Sequence, residues 1–503
     1  MTQTRYLSQA LLILLLYLGL RLHQLLALPL FIDETLHADR AVSVWRGSPL
    51  WFGVHGKYLG SWWVALFYPF PPRPWLIRAA VLLLTPLSAA AVMALARRLY
   101  GRGAALYAGG LAAFAPMLFF FDRMSLADTT LHVTLTLFVL SLFHLLDSRL
   151  FRWRLALLAG ALLALSVMAK ASALAILPLP VIAVWLLPRG WRFTDRLKAL
   201  AGVAATALVI WLPLLIAMWL RGINYLGVPI AEHSAGAGSI LLPERITGNL
   251  LFLLDGLLVY FGAVPLLIAA GAMIAGVIAH PRGGLVLALA VGGPALGIIL
   301  IGEAGVSMRY WLGIIPLALA LIGGGLAVIG NRLAGAGPMR HLPAALIGLW
   351  ALAAAAPFIH SAYTDPTALP LPAKDRLEYL EADSAGTMLP ELADFLAGEA
   401  AHFDSELVVT GAISQCYGLS LYIPADVAIV LDCPRVFSPE GRGAALDQHV
   451  AALAAQHERY YVIFEAAGIA AREDVTTITL EPVAAFARPG SRVIISVYQP
   501  AKP

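Results

Sequence analysis

Long runs of apolar residues, separated by short polar segments, make up the chain as far as about residue 360. A helix that crosses the hydrocarbon core of a bilayer needs about 20 predominantly apolar residues. The pattern predicts eleven such segments. They are residues 7–29, 76–96, 104–121, 128–146, 155–170, 172–187, 199–219, 250–279, 285–302, 310–330 and 343–359.

The pattern changes after residue 365, where long apolar runs end and charged residues become frequent. Short segments typical of strands alternate with segments of helical spacing. The predicted strands are residues 405–412, 426–432, 459–467 and 491–499, and the predicted helices are residues 388–403 and 444–457. Residues 481–500 have the pattern of a hairpin that turns at Pro489 and Gly490. We therefore expect a small α/β domain with a largely parallel sheet over residues 361–503, behind a membrane domain over residues 1–360.

The composition supports a membrane protein, because 60% of the 503 residues are hydrophobic and only 13% are charged. Soluble chains carry about 25% charged residues. The net charge of +4 is weak and argues against nucleic acid as a partner. The high Ala, Gly and Arg content is typical of a GC-rich bacterial source, which predicts the bacterial inner (plasma) membrane.

Basic residues in short loops predict the orientation, since cytoplasmic loops are enriched in Lys and Arg. These residues concentrate at positions 97–103, 148–154, 189–198 and 331–340. The N-terminus is then cytoplasmic. The long first loop, residues 30–75, and the C-terminal domain are extracytoplasmic.

Ionisable residues collect on that outer side. The acids are Asp33 and Glu34 after the first apolar segment and Asp128 in the second outer turn; the cations are Lys57, Arg123, Lys170 and Arg309, which precedes Tyr310. The Asp33–Glu34 pair is either a solvated helix boundary or a general base near a lipid head group. Asp128 could equally cap a helix, and the cations could extend along the apolar surface towards water.

The two cysteines of the chain, Cys416 and Cys433, each follow the end of a predicted strand. Neighbouring parallel strands would bring these ends together in an oxidising compartment. A disulfide and two partly buried thiols are both compatible with this pattern. The sequence contains no cysteine spacing of a metal site.

The order of the motifs resembles a known family. "DE" follows the first apolar segment, Arg123 to Asp128 reads R-x-x-x-x-D, Lys170 stands in "MAKASALAILPL", and "RYWLGIIP" opens a late segment at Arg309. The tail carries "DSAGTMLPELADFL". Together these motifs resemble the GT-C glycosyltransferases that use polyprenyl-phosphate sugars, in the protein O-mannosyltransferase and bacterial aminoarabinose-transferase branch. The resemblance covers residues 7–359 and, more loosely, the tail. It departs from the family in the first loop, where "VHGKYLGSWW" replaces a Pro-rich element.

The resemblance implies a polytopic α-helical GT-C fold with a small extracytoplasmic α/β domain. It implies transfer of a hexosyl or pentosyl group from a polyprenyl-phosphate donor to a hydroxyl of a protein, lipid or glycan, with inversion. Asp33 would be the base, Glu34 would assist it, and Asp128 would position the acceptor or the loops. The donor phosphate would be bound by Lys57, Arg123, Lys170, Arg309 and Tyr310. No cofactor is required, and a divalent cation stays an open question.

Two other functions remain compatible with the sequence. A transporter or flippase of lipid-linked glycans would hold phosphate with the same cations and would not need Asp33. A non-catalytic scaffold for cell-envelope assembly would keep the fold and tolerate loss of the acids.

Overall fold

The computed structural model describes residues 2–49, 56–68, 73–148, 150–188, 190–222, 242–301, 307–402, 406–432, 442–457, 460–466, 479–491 and 493–500. The chain divides into two compact units. The first consists of Met1–Leu25, Arg40–Pro69 and Arg78–Pro372, and the second of Leu26–Asp39, Phe70–Ile77 and Ala373–Pro503. Two segments of the predicted first loop therefore belong to the same unit as the C-terminal part of the chain.

Helices make up most of the described chain before residue 372. They are α1 (Gln3–Leu22), α2 (Ile32–Trp45), α3 (Tyr58–Ala65), α4 (Pro74–Leu82), α5 (Thr85–Tyr100), α6 (Arg102–Phe114), α7 (Pro116–Asp122), α8 (Ala127–Leu146), α9 (Trp153–Ala169), α10 (Pro178–Leu186), α11 (Phe193–Leu220), α12 (Pro243–Phe261), α13 (Ala263–Ala279), α14 (Pro281–Ile301), α15 (Ile315–Arg332), α16 (Leu342–Trp350) and α17 (Ala356–Thr364). The first loop, residues 30–75, contains helices α2 and α3.

Among the described residues, seven helices are long and apolar enough to cross a membrane, or nine if each of two bent pairs forms one span. Two shorter apolar helices, Trp153–Ala169 and Ala171–Leu186, coincide with the predicted segments 155–170 and 172–187. Each of the eleven predicted segments thus corresponds to a helix or a bent pair. The polytopic α-helical class is confirmed, although fewer than eleven helices are long enough to cross by themselves.

The predicted segment 104–121 is bent by 60° between α6 and α7. Ala115 separates these helices in an extended conformation with ψ of 114°, and Pro116 starts α7. The proline ring clashes with a helical conformation of the preceding residue, and proline has no N–H to continue the helix. The bend therefore follows from the Ala115-Pro116 sequence.

The predicted single segment 250–279 is wrong as one continuous helix. It consists of α12 and α13, which are bent by 107° at Gly262. Gly262 has φ of +82°, a left-handed conformation that a side chain disfavours. A glycine at this position allows the sharp change of direction.

Helix α15 packs closely against its neighbours through Gly323, Gly324 and Gly325. A Cβ on Gly323 would lie 2.6 Å from the backbone nitrogen of Ala108, and a Cβ on Gly325 would overlap the carbonyl oxygen of Ala272. Small residues let the backbones of membrane helices approach, which increases van der Waals contact. Gly323 and Gly325 therefore set the packing distances of α15 against α6 and α13, and Gly324 does so against Tyr100 of α5.

The second unit contains a five-stranded sheet of order β2-β1-β3-β5-β4. The strands are β1 (Leu407–Ala412), β2 (Ile429–Asp432), β3 (Tyr460–Ala466), β4 (Leu480–Ala487) and β5 (Ile494–Pro500). Strand β1 pairs in parallel with β2 and β3, whereas β5 pairs antiparallel with β3 and β4. The sheet is therefore mixed and not largely parallel, because the predicted hairpin at Pro489 adds an antiparallel half.

Helices of the second unit cover the sheet and complete its core. They are α18 (Ala373–Arg376), α19 (Leu389–Ala400), α20 (Cys416–Tyr422) and α21 (Arg442–Gln456). Leu392 and Leu396 of α19 pack with Val409, Ile463 and Val497 of the sheet in one buried cluster. This cluster confirms the α/β class of the C-terminal part.

Candidate active site

The two adjacent acids lie in the first turn of α2 and have different surroundings. Glu34 is fully buried, and its Oε2 accepts the N–H of Phe31 at 2.9 Å. The first N–H groups of a helix have no partner within the helix, and an acid in the first turn can satisfy one by reaching back. Asp33, one position earlier, is only half-buried. Glu34 therefore stabilises the start of the helix, while the carboxylate of Asp33 stays partly exposed.

Three other candidates come together in the first unit. Lys170 Nζ lies 2.6 Å from Asp128 Oδ1, and the same Nζ lies 3.6 Å from the ring centroid of Tyr310. Asp128 is in the first turn of α8, Lys170 directly follows the last residue of α9, and Tyr310 belongs to the short helix Met308–Trp311. The ends of three sequence-distant helices thus place an ammonium between a carboxylate and an aromatic ring.

Arg309 brings a second cation to this cluster. Its guanidinium carbon lies 5.4 Å from the ring centroid of Tyr310, which is a distance typical of a cation–π contact. Asp128 and Lys170 are buried, whereas Arg309 and Tyr310 are half-buried. Lys170 and Arg309 carry two positive charges and Asp128 carries one negative charge, so these three side chains together have a net charge of +1. We call these four residues, Asp128, Lys170, Arg309 and Tyr310, the cation cluster.

Arg123 binds a different part of the unit. It donates hydrogen bonds to the carbonyls of His23 and Gln24, which form the turn after α1. Its guanidinium carbon also lies 4.9 Å from the ring centroid of Phe119. Burial lowers the pKa of Arg123 to about 10, so the side chain stays charged at neutral pH. These contacts give Arg123 a role in fixing the turn, and its phosphate-binding role stays a prediction.

A buried network around Asp122 is absent from the set of sites predicted above. Asp122 Oδ2 accepts from the Tyr17 hydroxyl at 2.5 Å and from Arg21 Nε at 2.7 Å, and its Oδ1 lies 2.8 Å from His132 Nε2. His132 Nδ1 in turn lies 3.1 Å from Ser88 Oγ. The signal that identifies this network in the sequence is an ionisable residue inside an apolar run, as at Arg21 and His132.

Arg21 also explains how the chain tolerates the bend before Pro116. Its Nη1 donates to the carbonyl of Ala113 and its Nη2 to the carbonyl of Ala112, both at 3.1 Å. Ala112 cannot receive the usual helical bond from residue 116, because proline has no N–H. A buried carbonyl without a partner costs free energy. The Asp122 network is therefore structural: it holds α1, α7 and α8 together and satisfies the broken helix.

The remaining candidates stay predictions. Lys57 is half-buried directly before α3. Cys416 starts α20 after β1, and β1 and β2 are parallel neighbours as expected. Cys416 is disulfide-bonded, and because Cys433 lies outside the described residues, the pairing of these two cysteines stays a prediction. In the part of the chain that the structure describes, no group of three or more His, Cys, Asp or Glu side chains could hold a metal ion.

Solved structures of membrane glycosyltransferases are similar to the whole chain. ArnT from Cupriavidus metallidurans in the apo state has a TM-score of 0.62, 16% identity and coverage of 98% of both chains. The oligosaccharyltransferase of Archaeoglobus fulgidus in the apo form has a TM-score of 0.55 and 13% identity, over 92% of this chain and 70% of that one. The chain has the GT-C fold.

The GT-C fold recurs in a third, larger relative. The arabinofuranosyltransferase AftD from Mycobacteria has a TM-score of 0.51 and 16% identity, over 100% of this chain and 42% of that one. Residues 57–217 of this GT-C chain match a family model described as dolichyl-phosphate-mannose-protein mannosyltransferase. No curated protein matches the chain in sequence. The matched residues include Lys57, Arg123, Asp128 and Lys170, and they end before Arg309.

Proposed function

We propose that this GT-C chain is an integral-membrane glycosyltransferase that moves a hexosyl or pentosyl group from a polyprenyl-phosphate donor to an acceptor hydroxyl. The observation that carries the proposal is the likeness to ArnT along nearly the whole of both chains. A second ArnT structure, bound to undecaprenyl phosphate, has a TM-score of 0.60. An archaeal oligosaccharyltransferase in complex with an inhibitory peptide and a dolichol-phosphate has a TM-score of 0.51. Undecaprenyl phosphate and dolichol-phosphate are both polyprenyl phosphates, which supports this class of donor.

The reaction is a single displacement at the anomeric carbon of the sugar. The bond from the acceptor oxygen to C1 forms while the bond from C1 to the phosphate oxygen breaks, which inverts C1. Asp33 takes the proton of the acceptor hydroxyl, because it is the member of the acid pair that is not buried. Polyprenyl phosphate leaves with the electron pair of the broken bond.

The cation cluster stabilises the leaving phosphate. Negative charge grows on the phosphate as the bond breaks, and fixed cations at that position lower the barrier. An ammonium has three donors. Lys170 directs one of them to Asp128 and lies against the ring of Tyr310, so Asp128 fixes the position of the ammonium. Asp128 then acts on the reaction through Lys170 and not as a base.

The basic loops also support a proposal for the membrane side of this reaction. Lys and Arg at residues 97–103, 148–154, 189–198 and 331–340 support a cytoplasmic position of these loops. The acceptor is then extracytoplasmic, at the bacterial plasma membrane. It is a protein, a lipid or a glycan.

The test uses the full chain in proteoliposomes with a panel of labelled undecaprenyl-phosphate sugars and a cell-envelope extract. We expect transfer by the wild type and at least a 10²-fold loss in Asp33→Asn, the scale of a lost general base. The matched control is Asp426→Asn, which changes an exposed acid of the same unit. It should transfer like the wild type.

The outcomes separate the three function classes. Movement of labelled donor across the bilayer without transfer to any acceptor would replace the enzyme by a flippase. Binding of donor with no transfer and no movement would favour a scaffold. Equal transfer by Asp33→Asn and the wild type would keep the enzyme and remove Asp33 as its base.

A further inference from the structure

The backbone that carries Asp33 is hydrogen-bonded to the C-terminal part of its own unit. The N–H of Ile32 donates to the carbonyl of Ser384 at 3.0 Å. The same carbonyl accepts from Gln415 Nε2 at 2.7 Å. The N–H of Leu30 donates to the Tyr422 hydroxyl at 2.7 Å. Two backbone donors on either side of Phe31 are thus held by groups that lie far away in sequence.

Close packing fixes the same segment. A Cβ on Gly386 would overlap the carbonyl oxygen of Leu30, so only glycine fits between these two backbones. The ring centroids of Phe31 and Tyr379 are 4.5 Å apart. Leu30 and Phe31 are buried. The segment before α2 therefore has little room to shift along or away from the residues that hold it.

The loop that receives this segment is itself fixed on its other side. Ser414 Oγ donates to Asp383 Oδ2 at 3.3 Å, and Arg488 Nε donates to the carbonyl of Ala385 at 3.1 Å. Met388 ends the loop with φ of +75°, in the left-handed region. A non-glycine residue persists there when its surroundings determine the conformation. Residues 383–388, which we call the seat loop, thus connect the first turn of α2 to the end of β1.

We propose that Gly386, Gln415 and Tyr422 are positioning residues for Asp33, which they hold through the seat loop and the backbone of Leu30 and Ile32. The inference rests on the proposed function, in which Asp33 is the base. A base must lie within hydrogen-bond reach of the proton that it takes. A displacement of about 1 Å can cost about 10²-fold in rate even when it originates away from the chemistry.

The experiment compares variants of the positioning residues Gly386 and Tyr422 with matched controls in the transfer assay. Gly386→Ala inserts a methyl group against Leu30, whereas Gly398→Ala inserts it into open space in α19. Tyr422→Phe removes the acceptor of the Leu30 N–H. Tyr461→Phe instead removes a hydroxyl that donates to Glu399 at 2.6 Å in the same unit. Tyr422→Phe leaves the ring in place, so the test does not depend on Gly386→Ala folding.

We expect kcat to fall about 10–100-fold in Gly386→Ala and less in Tyr422→Phe, with both controls like the wild type. The Kd for undecaprenyl phosphate should stay within about twofold of the wild-type value, since the positioning residues act on the base and not on the donor. A structural defect alone would lower the fraction of folded protein and leave kcat per folded molecule unchanged. That result would overturn the proposal.

A double variant decides whether the effect passes through Asp33. Residues that act as a unit have non-additive effects on rate. Gly386→Ala should therefore lower the residual transfer of Asp33→Asn little or not at all, and a fully additive loss would refute the positioning role. If Asp33→Asn loses transfer while Gly386→Ala and Tyr422→Phe keep the wild-type kcat, the inference fails and the proposed function stands. If the wild type itself transfers nothing, the proposed function fails.

Discussion

Variants of the ion pair between Lys170 and Asp128 can distinguish its contribution to stability from its contribution to catalysis. We consider the variant Lys170→Met, which removes the ammonium and keeps a side chain of similar length. The side chains of Lys170 and Asp128 are 8% and 6% exposed, and their charges are 2.6 Å apart. The variant therefore leaves the carboxylate of Asp128 buried without its cation.

The size of the effect follows from the geometry. Two unit charges at this distance attract by about 6 kcal/mol at an effective dielectric constant of about 20. The cost of desolvating both charges offsets much of this attraction, so the pair itself contributes little net stability. Removal of one partner is different, because the remaining charge stays desolvated. We expect Lys170→Met to lower the free energy of unfolding by about 3–5 kcal/mol.

The assay pairs this variant with Asp128→Asn and with the double variant Lys170→Met/Asp128→Asn. Thermal unfolding in detergent should give a lower Tm for Lys170→Met and a Tm near the wild-type value for the double variant, which buries no charge. Transfer should be lost in both. The double variant thus recovers stability without recovering activity, because the phosphate still lacks its cation.

Two results would refute this reasoning. A wild-type Tm for Lys170→Met would show that the carboxylate is solvated or neutral. Recovered transfer in the double variant would show that Lys170 is needed only to neutralise Asp128. In that case the phosphate-binding role of Lys170 would be wrong.

Two further predictions concern the membrane unit. Gly325→Ala should lower the free energy of unfolding by about 1–3 kcal/mol, because its methyl group would overlap Ala272. Gly292→Ala, which adds a methyl group in open space, should leave the free energy of unfolding unchanged. Thermal unfolding in detergent compares the two variants. Arg21→Met should lower the free energy of unfolding by about 3–5 kcal/mol, since it removes the buried guanidinium that pairs with Asp122 and that donates to two carbonyls. Size-exclusion chromatography of the detergent extract measures the folded fraction, and an unchanged fraction and Tm in Arg21→Met would contradict the structural role of the network.

The apolar segments were predictable because the bilayer imposes a simple rule on them. Every backbone N–H and C=O in the hydrocarbon core needs a partner, so a spanning segment is a long helix with apolar side chains. This rule does not predict where a spanning helix is interrupted. The bend at Pro116 depends on Arg21, which lies in another helix and satisfies Ala112 and Ala113. The bend at Gly262 depends on one backbone conformation.

The strands of the second unit and its final hairpin were also predictable, but the antiparallel pairing of that hairpin with β3 was not. Alternating apolar residues indicate that a strand exists, and the pairing partner depends on how the chain returns. Strand β5 lies between β3 and β4, so the final hairpin is added in antiparallel pairing to a parallel half. The local pattern is the same for either direction.

The candidate site was predictable as a set of residues and not as an arrangement. Lys170, Tyr310 and Asp128 are suggested by the resemblance, yet only the fold brings the ends of three helices together around Lys170. Arg123 has the same charge as Lys170 and is predicted on the same side of the membrane. Its side chain instead binds the turn after α1. Residue type and order do not distinguish a cation that holds a backbone carbonyl from one that faces an anion.

The acid pair shows most directly what geometry adds. Asp33 and Glu34 are adjacent carboxylates, and no local pattern assigns a different role to each. Successive residues of a helix point in directions about 100° apart, so the start of α2 at Ile32 decides which acid reaches back to Phe31. The seat loop fixes that start, because Ser384 binds the N–H of Ile32. A helix that began one residue earlier would place Asp33 at the third helical position, from which Glu34 now reaches back, and Asp33 would then lose its place as the half-buried carboxylate.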